Sequence, residues 1–410
     1  MKRQAVHQGI FDWSMYALAF FIPVFPRIIP ALIILLGINW LFSSGIRSKI
    51  SALREGIRKA SVIPALLYLL YVAGLLYTTN FHYAGFDLEV KLSLILFPLI
   101  FCTSALSYFP EKLISRVLYF FLSGCVTVAV ILIGHAMYAN FALHVPGSFV
   151  YIKLAWYFHP GYLAMYFVFG LAVVADLLYR NGHARGLRRN VGLLLLLLFF
   201  MGFIFMLSSK AGILMMVAVL VFYIILWAVI QKKFIAAGGI FIIIFLFLMM
   251  MGKLFPEGFT RLSVAGHVVA EKPGVADPEE STASRFNTWK NAVDVIADNF
   301  LFGVGTGDVK DALMKNYQAN GNEYAYRIKM NAHSQFFQTF IALGLPGIIT
   351  LIGMLLIPGW FSWKQKQFLL FSFLAIIAFN MLTESILETQ AGVVFFAFFY
   401  VLLFRKPALK

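Results

Sequence analysis

Three residues in this chain have side chains suited to charge stabilisation or proton transfer and lie at the ends of apolar stretches: Lys210, Arg285 and His333. Lys210 stands in Leu207-Ser208-Ser209-Lys210-Ala211-Gly212, a short turn between two strongly apolar runs. A cation so close to hydrocarbon is costly unless paired or hydrated, which makes it a functional candidate. A lysine that ends a helix and snorkels to water is the plain structural alternative. Arg285 carries a rigid fork of donors that matches phosphate oxygens, and a solvated surface arginine is its structural alternative. His333, in Asn331-Ala332-His333-Ser334-Gln335, carries an imidazole, the side-chain type suited to a general base; a polar interface anchor is the other reading. Lys153, His159 beside Pro160, and Arg27 are weaker candidates for substrate contact. Gly303, Gly305 and Gly307 look like a phosphate cradle, but no strand precedes them, so they read as a tight turn between two helices.

The elements that must hold these residues are apolar. Of 410 residues, 61% are hydrophobic, 17% aromatic and only 12% charged. An average soluble domain has roughly 45–50% apolar and about 25% charged residues. An ordinary soluble enzyme, a disordered chain and a coiled coil are therefore excluded. Apolar runs of ~15–20 residues recur along the sequence, each long enough to cross about 30 Å of hydrocarbon. The pattern predicts an all-α polytopic membrane protein with about twelve transmembrane helices, near 11–25, 26–44, 61–78, 91–108, 117–140, 161–179, 191–207, 212–230, 234–251, 335–357, 367–383 and 390–404. A β-barrel would show short alternating strands instead. The first apolar stretch has no small-residue cleavage site after it and reads as a span. Cys102 and Cys125 both lie in apolar runs and read as packing residues.

Charge orients the helices. With the spans above, 20 of the 33 Lys and Arg fall on one side together with four of the 18 Asp and Glu. The loop at 45–60 alone contributes Arg47, Lys49, Arg54, Arg58 and Lys59. By the positive-inside rule that side is cytoplasmic, and both termini are expected there. The pI near 9.7 is then a signature of topology. The basic residues are spread over short loops, which excludes a nucleic-acid-binding surface.

Residues 252–334 form the one long hydrophilic stretch, and span parity places it outside the cytoplasm. The expected organisation is thus helices 1–9 over 1–251, a periplasmic loop with short amphipathic helices over 252–334, and helices 10–12 with a cytoplasmic tail over 335–410. Val268 to Thr282 has the Glu, Lys, Pro, Gly and Asp content of a mobile crossing. After it, Ser284 is placed to cap a helix whose apolar positions Trp289, Val293, Ile296 and Phe300 step by four, three and four. A second helical pattern runs from Asp308 to Tyr317.

No P-loop, His/Cys metal spacing, Gly-x-Ser-x-Gly elbow or Asp-x-Asp occurs, so no metal or other cofactor is expected. Three ordered features resemble the O-antigen ligase and polymerase superfamily of bacterial envelope glycan enzymes. They are Ser208-Ser209-Lys210-Ala211-Gly212, where the family usually has Ser-Arg-Gly; Ser284-Arg285-Phe286-x-x-Trp289 with Asn299-Phe300-Leu301-x-Gly303-x-Gly305; and His333-Ser334-Gln335 with Gly344-Leu345-Pro346-Gly347. Lys210 keeps the charge of the family arginine but loses its bidentate geometry. Phe300 stands where the family usually has Pro. The resemblance implies a GT-C-like fold and an inverting, metal-independent transfer of glycan from undecaprenyl-pyrophosphate to a sugar of lipid A–core. It also implies an inner-membrane location with the site on the periplasmic face. In that scheme Lys210 and Arg285 bind the pyrophosphate and His333 is the catalytic base. An O-antigen polymerase, a protein O-oligosaccharyltransferase or a polytopic lipid or glycan transporter is the alternative. A transporter is expected to carry ionisable groups in mid-helix, whereas here they gather at helix ends.

Overall fold

The computed structural model describes residues 2–56, 60–103, 111–181, 187–256, 260, 261, 263 and 281–404. The described residues are helical throughout, joined by turns. The helices are α1 (Lys2–Val24), α2 (Ile29–Ser43), α3 (Ile46–Gly56), α4 (Ile63–Ala73), α5 (Phe81–Lys91), α6 (Ser93–Thr103), α7 (Glu111–Phe141), α8 (Tyr151–Leu154), α9 (Pro160–Asn181), α10 (Leu187–Met206), α11 (Lys210–Gln231), α12 (Phe234–Leu254), α13 (Ser281–Asp298), α14 (Val309–Ala319), α15 (Glu323–Arg327), α16 (Gln335–Lys364), α17 (Phe368–Thr383) and α18 (Gln390–Phe404).

Among the described residues, seven helices are long and apolar enough to cross a membrane: Pro26–Ser43, α7, Pro160–Arg180, Arg188–Met206, α11, α12 and α16. Ile63–Leu76, α17 and α18 are shorter apolar helices. The sequence expectation of twelve spans also drew on the stretches that form α1, which opens with Lys2, Arg3 and Gln4, and the eleven-residue α6. Most of the crossing expected over Val268–Thr282 lies outside the described residues. Both cysteines are free and buried.

The chain divides into two compact units. The unit formed by Ala19–Phe25 and Leu118–Gly266 has α9 at its centre, packed on α10 and α11, with α12 against α11. Leu163 to Ala175 of α9 is buried without a break, and Phe167 meets Phe200 and Phe203 edge-on and tilted. In contrast α12 is apolar all round, yet only Ala237 and Met251 are buried. A helix with apolar surface on every side and so few protein contacts has lipid as its solvent.

The other unit comprises Met1–Leu18, Pro26–Val117 and His267–Lys410. Here α16 packs against α4, α13 and α17, while α18 packs against α5, α6 and α17. Gly392 to Leu402 of α18 is wholly buried. Its Phe395, Phe398 and Phe399 interlock with Phe97, Phe101 and Phe373 in edge-on and tilted pairs, a geometry that aromatic quadrupoles favour.

Helix α16 is broken at Gly344 (φ 60°, ψ −149°), a backbone conformation essentially confined to glycine. The break frees two carbonyls, which the expected glycine turn takes up. Val304 N donates to Ile341 O at 2.8 Å and Gly305 N to Ala342 O at 3.1 Å. Leu301 O lies so near that a Cβ on Gly344 would stand 2.4 Å from it. Residues 303–307 thus form the inter-helix turn read from the sequence, and their amides bond protein backbone and the Thr78 hydroxyl.

The turn ends at Asp308, whose carboxylate accepts from Thr79 N at 2.7 Å, Asn80 N at 2.8 Å, Thr79 Oγ1 at 2.9 Å and Thr78 Oγ1 at 3.2 Å. Burial alone would raise this carboxyl; the hydrogen bonds outweigh burial and hold it below its usual range. A lowered folded-state pKa means that the stabilisation is present above about pH 4 and is lost as pH falls through the folded value. Asp308→Asn is expected to lower stability by about 1 kcal/mol at neutral pH, after allowing for solvent screening. The gap to wild type, followed by thermal unfolding in detergent, should close on acidification.

The helix expected after Ser284 starts earlier, at Ser281, so Ser284 lies inside α13, where its carbonyl accepts from the Thr288 hydroxyl. The buried stripe is Ser284, Thr288, Asn291, Ala292, Val295 and Ile296, while Val293 and Phe300 are exposed. Small and polar side chains let α13 approach α16 closely, and that contact outranks apolar periodicity.

Candidate active site

The backbone entering α16 fixes His333. Its φ of 43° is left-handed, a conformation that a histidine holds only when neighbours enforce it. His333 N donates to Asn331 Oδ1 at 2.9 Å, and Trp289 Nε1 donates to His333 O at 3.3 Å. The next residue, Ser334, is the N-cap of α16 and donates through Oγ to Met381 O at 3.3 Å. The imidazole is thereby set against the end of α17.

At that end stands Glu384, and its two oxygens serve two partners. Oε2 lies 3.2 Å from His333 Nδ1, and Oε1 accepts from the Arg285 guanidinium. The three side chains are between 17% and 27% exposed, so the cluster is sheltered yet open to a ligand. With a carboxylate at Nδ1, the proton of a neutral imidazole belongs on that nitrogen, which leaves the Nε2 lone pair free. This is the arrangement of a general base oriented by a carboxylate. Arg285 beside it brings a positive charge to the same point.

Four residues on, Glu388 closes the turn Ile386–Glu388 and belongs to a deeper cluster. Lys91, fully buried, lies 2.9 Å from Glu388 and also pairs with Asp87 one turn earlier in α5. Its ammonium stands 4.7 Å from the ring centre of Tyr71. Burial pushes Asp87 up, and Glu388 adds to this against the pull of Lys91, so that Asp87 reaches about 8. Burial would raise Glu388 too, but Lys91 and hydrogen bonds from Asp87, Lys91 and Gln335 hold it low. Burial would lower Lys91, and the two carboxylates overcome this and raise it. At neutral pH the two acids thus share one proton and one negative charge opposite the ammonium.

Gln335 links the two clusters. Its Nε2 donates to Glu388 Oε1 at 3.3 Å and to Thr339 Oγ1 at 3.0 Å, and its Oε1 accepts from Leu387 N at 2.7 Å. Two residues after His333, it pins the first turn of α16 to the turn that carries both glutamates.

Of the residues singled out in the sequence, the structure brings Arg285 and His333 together on Glu384. Arg27, in the same unit, is exposed in the short turn Pro26–Ile28. Lys210, Lys153 and His159 belong to the other unit. Lys210 is the first residue of α11, behind Ser208 (φ 48°) and the N-cap Ser209, whose Oγ accepts from Gly212 N at 3.2 Å. Lys153 donates to Pro146 O at 2.8 Å, and His159 Nδ1 accepts from Gly161 N at 3.2 Å at the start of α9.

Glu384, Glu388, Lys91 and Asp87 were not singled out from the sequence. The signal available was Glu384-Ser385-Ile386-Leu387-Glu388, two acids in the brief connection between two apolar runs. Asp87 and Lys91, four apart beside a third such run, gave a second one.

Comparison with curated proteins finds no match. Comparison with protein families finds one over residues 193–352, the family described as O-antigen ligase. The matched stretch holds Lys210, Arg285, His333 and the broken helix α16 up to Ile352. The chain is a multi-pass membrane protein by its apolar helices, and its residues 193–352 are similar to the O-antigen ligase family.

Proposed function

We propose that this protein transfers O-antigen glycan from undecaprenyl-pyrophosphate to a sugar of lipid A–core, with inversion and without a metal ion, on the periplasmic face of the inner membrane. The observation that carries the reading is the junction of Arg285 and His333 on Glu384, inside a domain matched to O-antigen ligases.

In this mechanism His333 Nε2 takes the proton of the acceptor hydroxyl. The freed oxygen attacks the anomeric carbon from the face opposite the pyrophosphate. The bond from that carbon to the pyrophosphate oxygen breaks, and its electron pair leaves with undecaprenyl-pyrophosphate. Glu384 keeps the imidazole in the accepting tautomer and offsets the charge it gains. Arg285 meets the negative charge growing on the leaving group. Lys210, the first residue of α11, is assigned to pyrophosphate binding, because a helix N-terminus attracts a phosphate. Arg27, Lys153 and His159 are assigned to outer contacts with substrate.

The test is a deletion strain, with lipid A–core and undecaprenyl-linked glycan analysed in parallel. Loss of polymer from lipid A–core, with long polymer accumulating on the lipid carrier, is expected. A single repeat unit still attached to the core would replace this reading with a polymerase. Unchanged lipopolysaccharide would remove both.

A further inference from the structure

Among the described residues, a broad polar groove is lined by neither Arg285 nor His333. It has a volume of about 1100 Å3 and is walled by α13, by the turn after α14 and by α15. Ordinary ligand sites span about 300–1,000 Å3, so this one has room for more than a single sugar.

Its chemistry is distinctive. No aliphatic side chain lines it. The walls offer amides from Asn287 and Asn320, charges of both signs from Lys290 and Asp294, and the rings of Tyr324 and Tyr326. Lys290 and Arg327 balance Asp294 and Glu323, so the groove has no net attraction for a polyanion. An acyl chain would find apolar surface only in tyrosine rings and in the stems of polar side chains. Hydroxyls pair with amides and carboxylates in both donor and acceptor roles, and the C–H faces of sugar rings pack on tyrosine rings. Part of this surface is already set: Asn320 Nδ2 lies 3.0 Å from each of Asn291 Oδ1, Asp294 Oδ2 and Asn316 Oδ1. These bonds hold the Asn320 side chain in place, and a groove whose polar groups are pre-positioned binds at a smaller entropic cost.

Its position gives it a role distinct from catalysis. Asn287, Lys290 and Asp294 share one face of α13. Helical geometry puts Lys290 about 140° and Asp294 about 180° round the helix from Arg285. The groove is thus separated from the pyrophosphate-binding face by the width of one helix, about 10 Å. A sugar being transferred at Arg285 cannot reach it, whereas a chain of several sugars can. We infer that this groove is an oligosaccharide subsite that holds glycan several sugars away from the reacting end. The inference rests on the glycosyl-transfer reading above. The glycan is either the donor polymer or the acceptor core oligosaccharide, which present the same chemistry to the groove.

The experiment compares full-length wild type with the double variant Lys290→Ala, Tyr324→Ala, both reconstituted in lipid. In one arm the donor is a lipid-linked single repeat or a lipid-linked long polymer, with acceptor fixed. In the other the acceptor is intact or truncated core, with donor fixed. The double variant is expected to raise KM for the longer glycan about five- to tenfold more than for the shorter one in one arm, while kcat for the longer glycan stays within twofold. The arm that responds identifies the source. Equal KM changes for long and short glycans in both arms would overturn the proposal. Saturation-transfer NMR with released polymer and with free core oligosaccharide provides a readout independent of turnover. Wild-type contacts to one of them that weaken in the variant support the subsite even if no transfer is observed, in which case the transfer reading alone has failed. Absence of contacts to both glycans in wild type overturns the subsite.

Discussion

Replacing His333 by Ala is expected to lower transfer about 10²- to 10⁴-fold, the usual contribution of a positioned acid–base group, at unaltered protein level. Arg285→Ala is expected to cost about 10²- to 10³-fold, as for other residues that stabilise charge in a transition state. Glu384→Gln separates orientation from charge. The amide keeps the size of the side chain but can present its NH2 group to His333 Nδ1, which then accepts and places the ring proton on Nε2. A base in that tautomer cannot take the acceptor proton, so kcat should fall steeply while the KM for donor changes little. The same substitution removes the carboxylate that holds Arg285. If Glu384 acted only by anchoring Arg285, Glu384→Gln would cost no further activity in a protein that already carries Arg285→Ala. The measurement is transfer to purified acceptor by reconstituted variants, with kcat and KM obtained separately for the lipid-linked donor. Wild-type rates from His333→Ala would remove this residue from the chemistry altogether.

Two different kinds of information explain what the sequence disclosed about this site. Arg285 and His333 were legible because their side chains conflict with their apolar surroundings, and that conflict is visible residue by residue. The helices were legible for the complementary reason: long apolar runs have few ways to satisfy their backbone in lipid other than helix. Contact partners across the chain were not legible. Glu384 lies 99 residues from Arg285 and 51 from His333, and only the packing of α13, α16 and α17 makes them neighbours. The same limit explains α13. Of its periodic apolar positions Trp289, Val293, Ile296 and Phe300, only Ile296 is buried, and the helix buries Thr288, Asn291 and Ala292 beside it. Hydrophobic pattern identifies the inward face when the neighbour is an apolar core. Here the neighbour contributes polar groups, and close approach of small residues decides. The glycine turn was legible as a turn because its glycines stand between two helical patterns. That it fills the break at Gly344 depends on a contact about 40 residues away, which local sequence does not encode.

The buried Lys91 has the largest expected effect on stability. In wild type its ammonium faces Asp87 and Glu388 with no side-chain exposure. Lys91→Met preserves most of the volume but leaves two carboxyls facing one another without a counter-charge. Removing one partner of a buried ion pair typically costs about 3–5 kcal/mol, because the surviving charge is left desolvated. The loss has a defined pH dependence. Without Lys91, burial and mutual repulsion raise both carboxyls in the folded state, so the variant is most stable below their unfolded values near pH 4 and weakens as pH rises through the raised folded values. Wild type resists this because Glu388 is held low and stays ionised beside Lys91, while Asp87, at about 8, keeps its proton through neutral pH. The triple variant Asp87→Asn, Lys91→Met, Glu388→Gln removes all three charges. It is expected to recover most of the lost stability and to show a flatter pH profile than Lys91→Met, since a neutral hydrogen-bonded cluster carries no uncompensated charge. Unfolding temperatures in detergent between pH 4 and pH 9 decide the matter. A Lys91→Met protein as stable as wild type at pH 8 would mean that water, and not the ammonium, satisfies the two acids. Because Gln335 bonds Glu388 and lies two residues from His333, the triple variant also tests whether this cluster positions the base: restored stability with low kcat would assign it that role.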